Sequence, residues 1–196
     1  MLGIYYFPKR LYSRMLAARD KTTPTTILGA LACDEHEEVR LGVAGNPTTP
    51  KGVWVILLED SNSSVRAEVA AREDLEHEHI LKLAQDKSET VWKVVSTRDD
   101  ICEEVLQLLV EKTLPVRIQL ASKLGKAPEW LSVKLARDKE TRVRVLVAAS
   151  SSSDVALNIL RNDQESIVQD TILAREYDRE ASEARKKNYG RRAFAW

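Results

Sequence analysis

An acid recurs along this chain at Asp34, Asp60, Asp86, Glu111, Asp138 and Asp163, at intervals of 26, 26, 25, 27 and 25 residues. Leucine stands three residues before each acid, at Leu31, Leu57, Leu83, Leu108, Leu135 and Leu160. Valine stands five residues after it, at Val39, Val65, Val91, Val116, Val143 and Val168. Four positions further comes another aliphatic: Val43, Val69, Val95, Leu120, Val147 and Ile172. Agreement at four positions in six copies marks a tandem array. Each unit is too small to bury its apolar face alone, so it must stack on the next.

Each unit reads as two short helices. The acid suits an N-cap, because its carboxylate can accept from the unpaired N–H groups of a first helical turn. Glu37 and Glu89 supply the acid of a capping box three positions later. The two aliphatics are four apart and share one helical face. A small residue usually follows the second (Ala44, Ala70, Ser96, Ala121, Ala148), which lets a neighbouring helix approach. The second helix is expected to open at Pro24, Pro50 and Pro128, with Thr23 and Thr49 as caps. Neither helix should exceed about three turns, a length marginal in water without its neighbours. The fold class expected is all-α, a superhelical solenoid of short helix pairs.

The array spans residues 13–173, with a degenerate half-unit at its start, where Ser13-Arg14 takes the place of Val39-Arg40. Residues 1–12, with Tyr5, Tyr6 and Phe7, read as an N-terminal cap segment. Residues 174–196 read as a polar helix to about Asn188, then a basic and aromatic tail. The 30 basic and 30 acidic residues cancel, but not locally. Residues 22–173 hold 18 basic and 25 acidic side chains, a balance of −7, while residues 1–21 carry +4 and residues 174–196 carry +3. Two cysteines, Cys33 and Cys102, are too few for a disulfide framework or a cysteine-rich zinc site. No apolar run approaches the ~20 residues that span a bilayer, and the first residues lack a signal-peptide pattern. A cytoplasmic protein that does not enter a membrane is expected.

The string D-x4-V-R-x2-V-A, then N-P-x-T-P, then a leucine-bearing helix, resembles the leucine-rich repeat variant family. The likeness covers roughly residues 13–173 and is strongest in DEHEEVRLGVAGNPTTPKGVWVILLEDSNSSVRAEVAA. It implies a right-handed superhelix with alternating α- and 3-10 helices, or two short helices, in each unit. The family's founding type carries a cysteine cluster that holds an iron–sulfur centre. The region before the repeats has no cysteine here, so that cofactor is not expected, nor any other. Later units drift: Trp92 and Gln169 stand where the arginine is expected.

Arginine follows the first valine at Arg40, Arg66, Arg117 and Arg144. These could form a basic stripe for phosphates. Their recurrence beside Asp34, Asp60, Glu111 and Asp138 favours a structural ladder of guanidinium–carboxylate pairs instead. His77-Glu78-His79 invites a metal, but residues two apart on a helix point about 200° apart and cannot share one ion. Cys33 and Cys102 lack the basic surroundings of a reactive thiolate. Trp92 replaces a ladder arginine, and Trp130 occupies a slot that looks solvent-facing, so both are candidates for a binding surface. The tail RKKNYGRRAFAW offers Arg185, Lys186, Lys187, Arg191 and Arg192 to nucleic acid or to an acidic protein surface. No phosphate loop, nucleophile motif or metal-ligand spacing is present, so catalytic and metal residues are none. The expected function is a non-enzymatic scaffold for a protein partner. The alternative is a nucleic-acid-binding helical repeat, including the DNA-glycosylase type, with contacts from the basic termini.

Overall fold

The computed structural model describes residues 10–193, and for Lys126 and residues 186–193 the backbone alone. Among the described residues there are thirteen α-helices and no strand. One series carries the Val-Arg pairs or the residues in their place: α1 (Leu11–Arg19), α3 (Glu37–Ala44), α5 (Ser63–Ala70), α7 (Glu89–Thr97), α9 (Leu114–Ala121), α11 (Thr141–Ser150) and α13 (Ser166–Ala193). The other carries the leucines: α2 (Thr25–Leu31), α4 (Lys51–Leu57), α6 (His77–Ala84), α8 (Glu103–Leu109), α10 (Glu129–Ala136) and α12 (Asp154–Leu160). The architecture is an all-α solenoid of short helix pairs. Both members of each pair are α-helical, and among the described residues 3-10 geometry appears only as the turn Leu124–Lys126.

The chain forms two compact units, residues 1–109 and 110–196. In the first, α1, α3, α5 and α7 pack side by side in chain order, and α6 packs on α8. In the second, α9, α11 and α13 repeat that arrangement, and α10 packs on α12. The repeat positions supply the core. All six valines that follow the acids are fully buried, and so are Ala44, Ala70, Ser96, Ala121 and Ala148. These small side chains sit where like helices approach. The closeness is clearest between α1 and α3, where a Cβ added to Gly42 would lie 2.9 Å from the Ala18 methyl.

Several local expectations are corrected. The recurrent acid is not the N-cap. The caps are His36, Asn62, Ser88 and Glu140, two residues after Asp34, Asp60, Asp86 and Asp138. Each of these aspartates instead closes a turn, its Oδ1 accepting the N–H two residues on at 2.7–3.0 Å. Glu37 and Glu89 are therefore first helical residues, and no capping box forms. The prolines stand one place outside their helices with extended ψ of 141–154°. Thr23 and Thr49 turn backwards and donate to Ala17 and Val43 carbonyls at 2.7 Å, closing the helix before rather than capping the one after. In the fourth unit the buried leucine is Leu109, and Leu108 is partly exposed. The polar end helix is not separate: α13 runs unbroken for 28 residues from the last Val-aliphatic pair, so residues 173 and 174 share one helix.

Candidate functional site

Placement on the helix decides what each recurrent arginine does. Except at Arg14, which follows Ser13, it follows a fully buried valine and leaves the core at the edge, level with the turn of the next unit. Its Nε donates to the aspartate Oδ2 of that next turn at 2.6 Å in Arg14–Asp34, Arg40–Asp60, Arg66–Asp86, Arg117–Asp138 and Arg144–Asp163. Nη2 completes a fork to Oδ1 at 2.9–3.3 Å. In Arg40, Arg66, Arg117 and Arg144, Nη1 turns back to a carbonyl of the arginine's own turn, as from Arg40 to Asp34 O at 2.8 Å. One guanidinium thus ties the acid turn of its own unit to the acid turn of the next. Bidentate charge-assisted pairs of this kind are the strong ones.

The pairs are shielded. The Arg66 and Asp86 side chains expose 6% and 9% of their surface. Burial works to raise the Asp86 carboxyl, but the Arg66 guanidinium and the Ser88 N–H outweigh it and hold it below its ordinary value. Asp60 is lowered in the same way, burial being opposed by Arg40 and the Asn62 N–H. Asp163 is lowered chiefly by Arg144. Arg40, Arg66 and Arg144 are raised in turn, each mainly by its aspartate hydrogen bond. With forked donors committed inside the chain, the stripe is occupied. Glu111 departs from the expected ladder: it pairs with Lys134 Nζ at 2.6 Å, and both side chains are more than half exposed. The acid at that rung is one methylene longer and its arginine has been replaced by Trp92. The half-buried indole of Trp92 keeps one of the arginine's bonds, donating to the Asp86 carbonyl.

A second ladder was missed in the sequence. The last carbonyls of an α-helix have no partner within it. Here the next unit supplies one. Asn46 Nδ2 donates to Ala18 O at 2.9 Å and Asp20 O at 3.0 Å. Arg72 Nη1 reaches Ala44 O and Asn46 O, both at 3.0 Å. Arg98 Nη1 reaches Ala70 O at 2.9 Å and also Arg72 O. In the second unit Ser150 donates to Ala121 O at 2.5 Å, and Arg175 to Ala148 O at 2.9 Å. Asp74 and Asp100 hold Arg72 and Arg98 in place from two residues along. The signal was legible: Arg-x-Asp at 72–74 and again at 98–100, one repeat apart.

Open grooves follow the first ladder. One of about 460 Å³ is lined by Leu58, Asp60, Arg66, Lys82 and Asp86. Another, of about 500 Å³, is lined by Val110, Glu111, Arg117, Lys134 and Asp138. They occupy equivalent places in the repeat and present both charge signs. They are the spaces between stacked units.

No protein-family model matches this chain, and no curated protein does. It is similar to a solved structure described as a leucine-rich repeat variant with a novel repetitive protein structural motif, at 25% identity and a TM-score of 0.69. The likeness covers 86% of this chain and 67% of that one. The chain has the fold of that leucine-rich repeat variant.

Within this fold the candidate binding residues fall unequally. Trp92 lies in the first unit and is half-buried. Trp130, in the second, is not the open surface residue expected: it is half-buried, and its indole N–H is covered and meets no acceptor among the described residues. Arg185 is exposed on α13. The side chains of Lys186, Lys187, Arg191 and Arg192 lie outside the described residues. His79 is buried, its ring edge-on to Trp54 at 5.1 Å. His77 instead faces out toward Cys102 and Glu104. Among the described residues no helix is long and apolar enough to cross a membrane.

Proposed function

We propose that this chain, with the fold of a leucine-rich repeat variant, is a non-enzymatic scaffold that presents a solenoid surface to a protein partner. One observation supports the reading above others: the recurrent arginines, the groups best suited to phosphate, are committed as forked pairs to aspartates of the same chain. The repeat then serves to build an extended surface of mixed charge, not a cationic track. The cytoplasm, with no iron–sulfur centre, is the proposed setting. The competing reading, a nucleic-acid binder, rests on the basic termini, chiefly residues 185–196, because residues 22–173 sum to −7. Fluorescence anisotropy with labelled duplex DNA and RNA separates the two. Any binding by the full chain should fall steeply with salt and vanish when residues 185–196 are deleted. Salt-sensitive binding that survives the deletion would assign the solenoid itself to nucleic acid and overturn the scaffold.

A further inference from the structure

The N-terminal ends of successive leucine-series helices face one another across the stack, so residues 24 or 25 apart meet there. Lys51 pairs with Glu76, and Ser153 donates to Glu129 at 2.9 Å. At the equivalent place between α6 and α8 the chemistry changes. His77 is the first residue of α6, and Cys102 directly precedes α8, its carbonyl accepting from Leu106 N at 3.0 Å. His77 Nε2 lies 3.4 Å from Cys102 Sγ and 3.8 Å from Glu104 Oε2. All three donor atoms fall within 4.8 Å of one another.

We propose that His77, Cys102 and Glu104 form a binding site for a zinc-type divalent ion. Zn–S, Zn–N and Zn–O bonds of the usual lengths place tetrahedral donors roughly 3.3–3.6 Å apart. The imidazole–thiol spacing already fits. Glu104, two-thirds exposed, closes the remaining gap by rotating its side chain. One nitrogen, one sulfur and one oxygen suit zinc and its neighbours in the transition series, whereas calcium and magnesium take oxygen alone. On binding, the thiol gives its proton to solvent and the thiolate becomes the ligand, so affinity rises with pH. Water completes the fourth position, since His77 is also more than half exposed. The ion ties the start of α6 to the start of α8 within the first compact unit. Counting thiols along the sequence hides this site, because its ligands come from two adjacent repeats and include one cysteine only.

A second cluster, Glu76, Glu78 and His79, is a poorer candidate. All its donors lie on one short stretch, and His79 is buried against Trp54. The two clusters make different predictions, and cobalt distinguishes them. Titration of the full chain with Co²⁺ should give one ion per chain, a thiolate-to-cobalt charge-transfer band and the visible bands of tetrahedral cobalt. Zn²⁺ should displace the cobalt and raise Tm by binding the folded state. Loss of a mere outer-shell partner weakens metal sites by about 10–100-fold. Cys102→Ser should therefore abolish the charge-transfer band and weaken binding at least roughly tenfold. His77→Asn and Glu104→Gln should weaken binding while leaving the far-ultraviolet circular dichroism unchanged, because both side chains are at the surface. Cys33→Ser should change nothing. A spectrum without the thiolate band, binding that persists in Cys102→Ser, dependence on Cys33, or one ion shared by two chains would each overturn the site.

Discussion

Each ladder arginine has a committed geometry, and its acid partners carry the pH dependence. Asp34, Asp60, Asp86 and Asp163 all have carboxyls held below their ordinary value in the fold. In the unfolded chain they return to about 3.9. A lowered folded value means that their stabilisation is complete above the unfolded value and is lost as pH falls through the folded one. The arginines, raised from an already high value, stay protonated throughout this range. Thermal unfolding should therefore give a flat Tm from about pH 7 to 5 and a steep fall below about pH 4. A Tm that falls mainly between pH 7 and 5 would place the linkage on histidines instead. Removing one arginine tests the rung directly. Arg66→Ala leaves Asp86 shielded and without its fork, which should cost about 2–4 kcal/mol by urea unfolding. Glu111→Gln removes an exposed pair with Lys134 and should cost under about 1 kcal/mol. Equal losses would mean that shielding does not separate the two pairs.

At the scale of the element, the apolar code was legible and the polar wiring was less so. Val39, Val43 and Ala44, and their counterparts in the other units, are buried as their spacing requires, because burial on a helix follows directly from a period of 3.6. A hydrogen-bond partner in the next unit has no such local signature. That is why Asp60 read as a cap on its own helix rather than as a turn acid and the partner of Arg40, and why Thr49 read as a forward cap. The fourth unit shows a different failure. Alignment on Glu111 selects Leu108, yet Leu109 lies 26 residues after Leu83 and is the one the fold buries. The unit is one residue short in the turn, and the helix keeps its register with the stack while the acid slips. Leu109→Ala should then cost ~2–5 kcal/mol, the usual range for opening a cavity in a core. Leu108→Ala, at a partly exposed position, should cost less than half as much. Chemical denaturation of the two variants decides the register, and the reverse order would restore the alignment on Glu111.

Across the whole molecule the two ladders do more than decorate the stack. One ties turn to turn through arginine and aspartate. The other ties the open carbonyl ends of α1, α3, α5, α9 and α11 to the unit that follows, through Asn46, Arg72 and Arg98 in the first compact unit and Ser150 and Arg175 in the second. Every tie joins neighbours in the array, so stability should be a sum of local terms with coupling confined to adjacent units. The first compact unit offers the test. Leu31 lies on α2 and Leu83 on α6, with a complete unit between them. Their alanine substitutions should add within about 0.5 kcal/mol. Val65 and Val91 lie on α5 and α7, which pack directly on each other. Val65→Ala and Val91→Ala should depart from additivity by at least about 0.5 kcal/mol, because the first cavity changes the wall that the second would lose. Additive loss in both pairs would remove the coupling between neighbours. Strong coupling between Leu31 and Leu83 would mean that the unit folds as one undivided core, and nearest-neighbour energetics would not describe it.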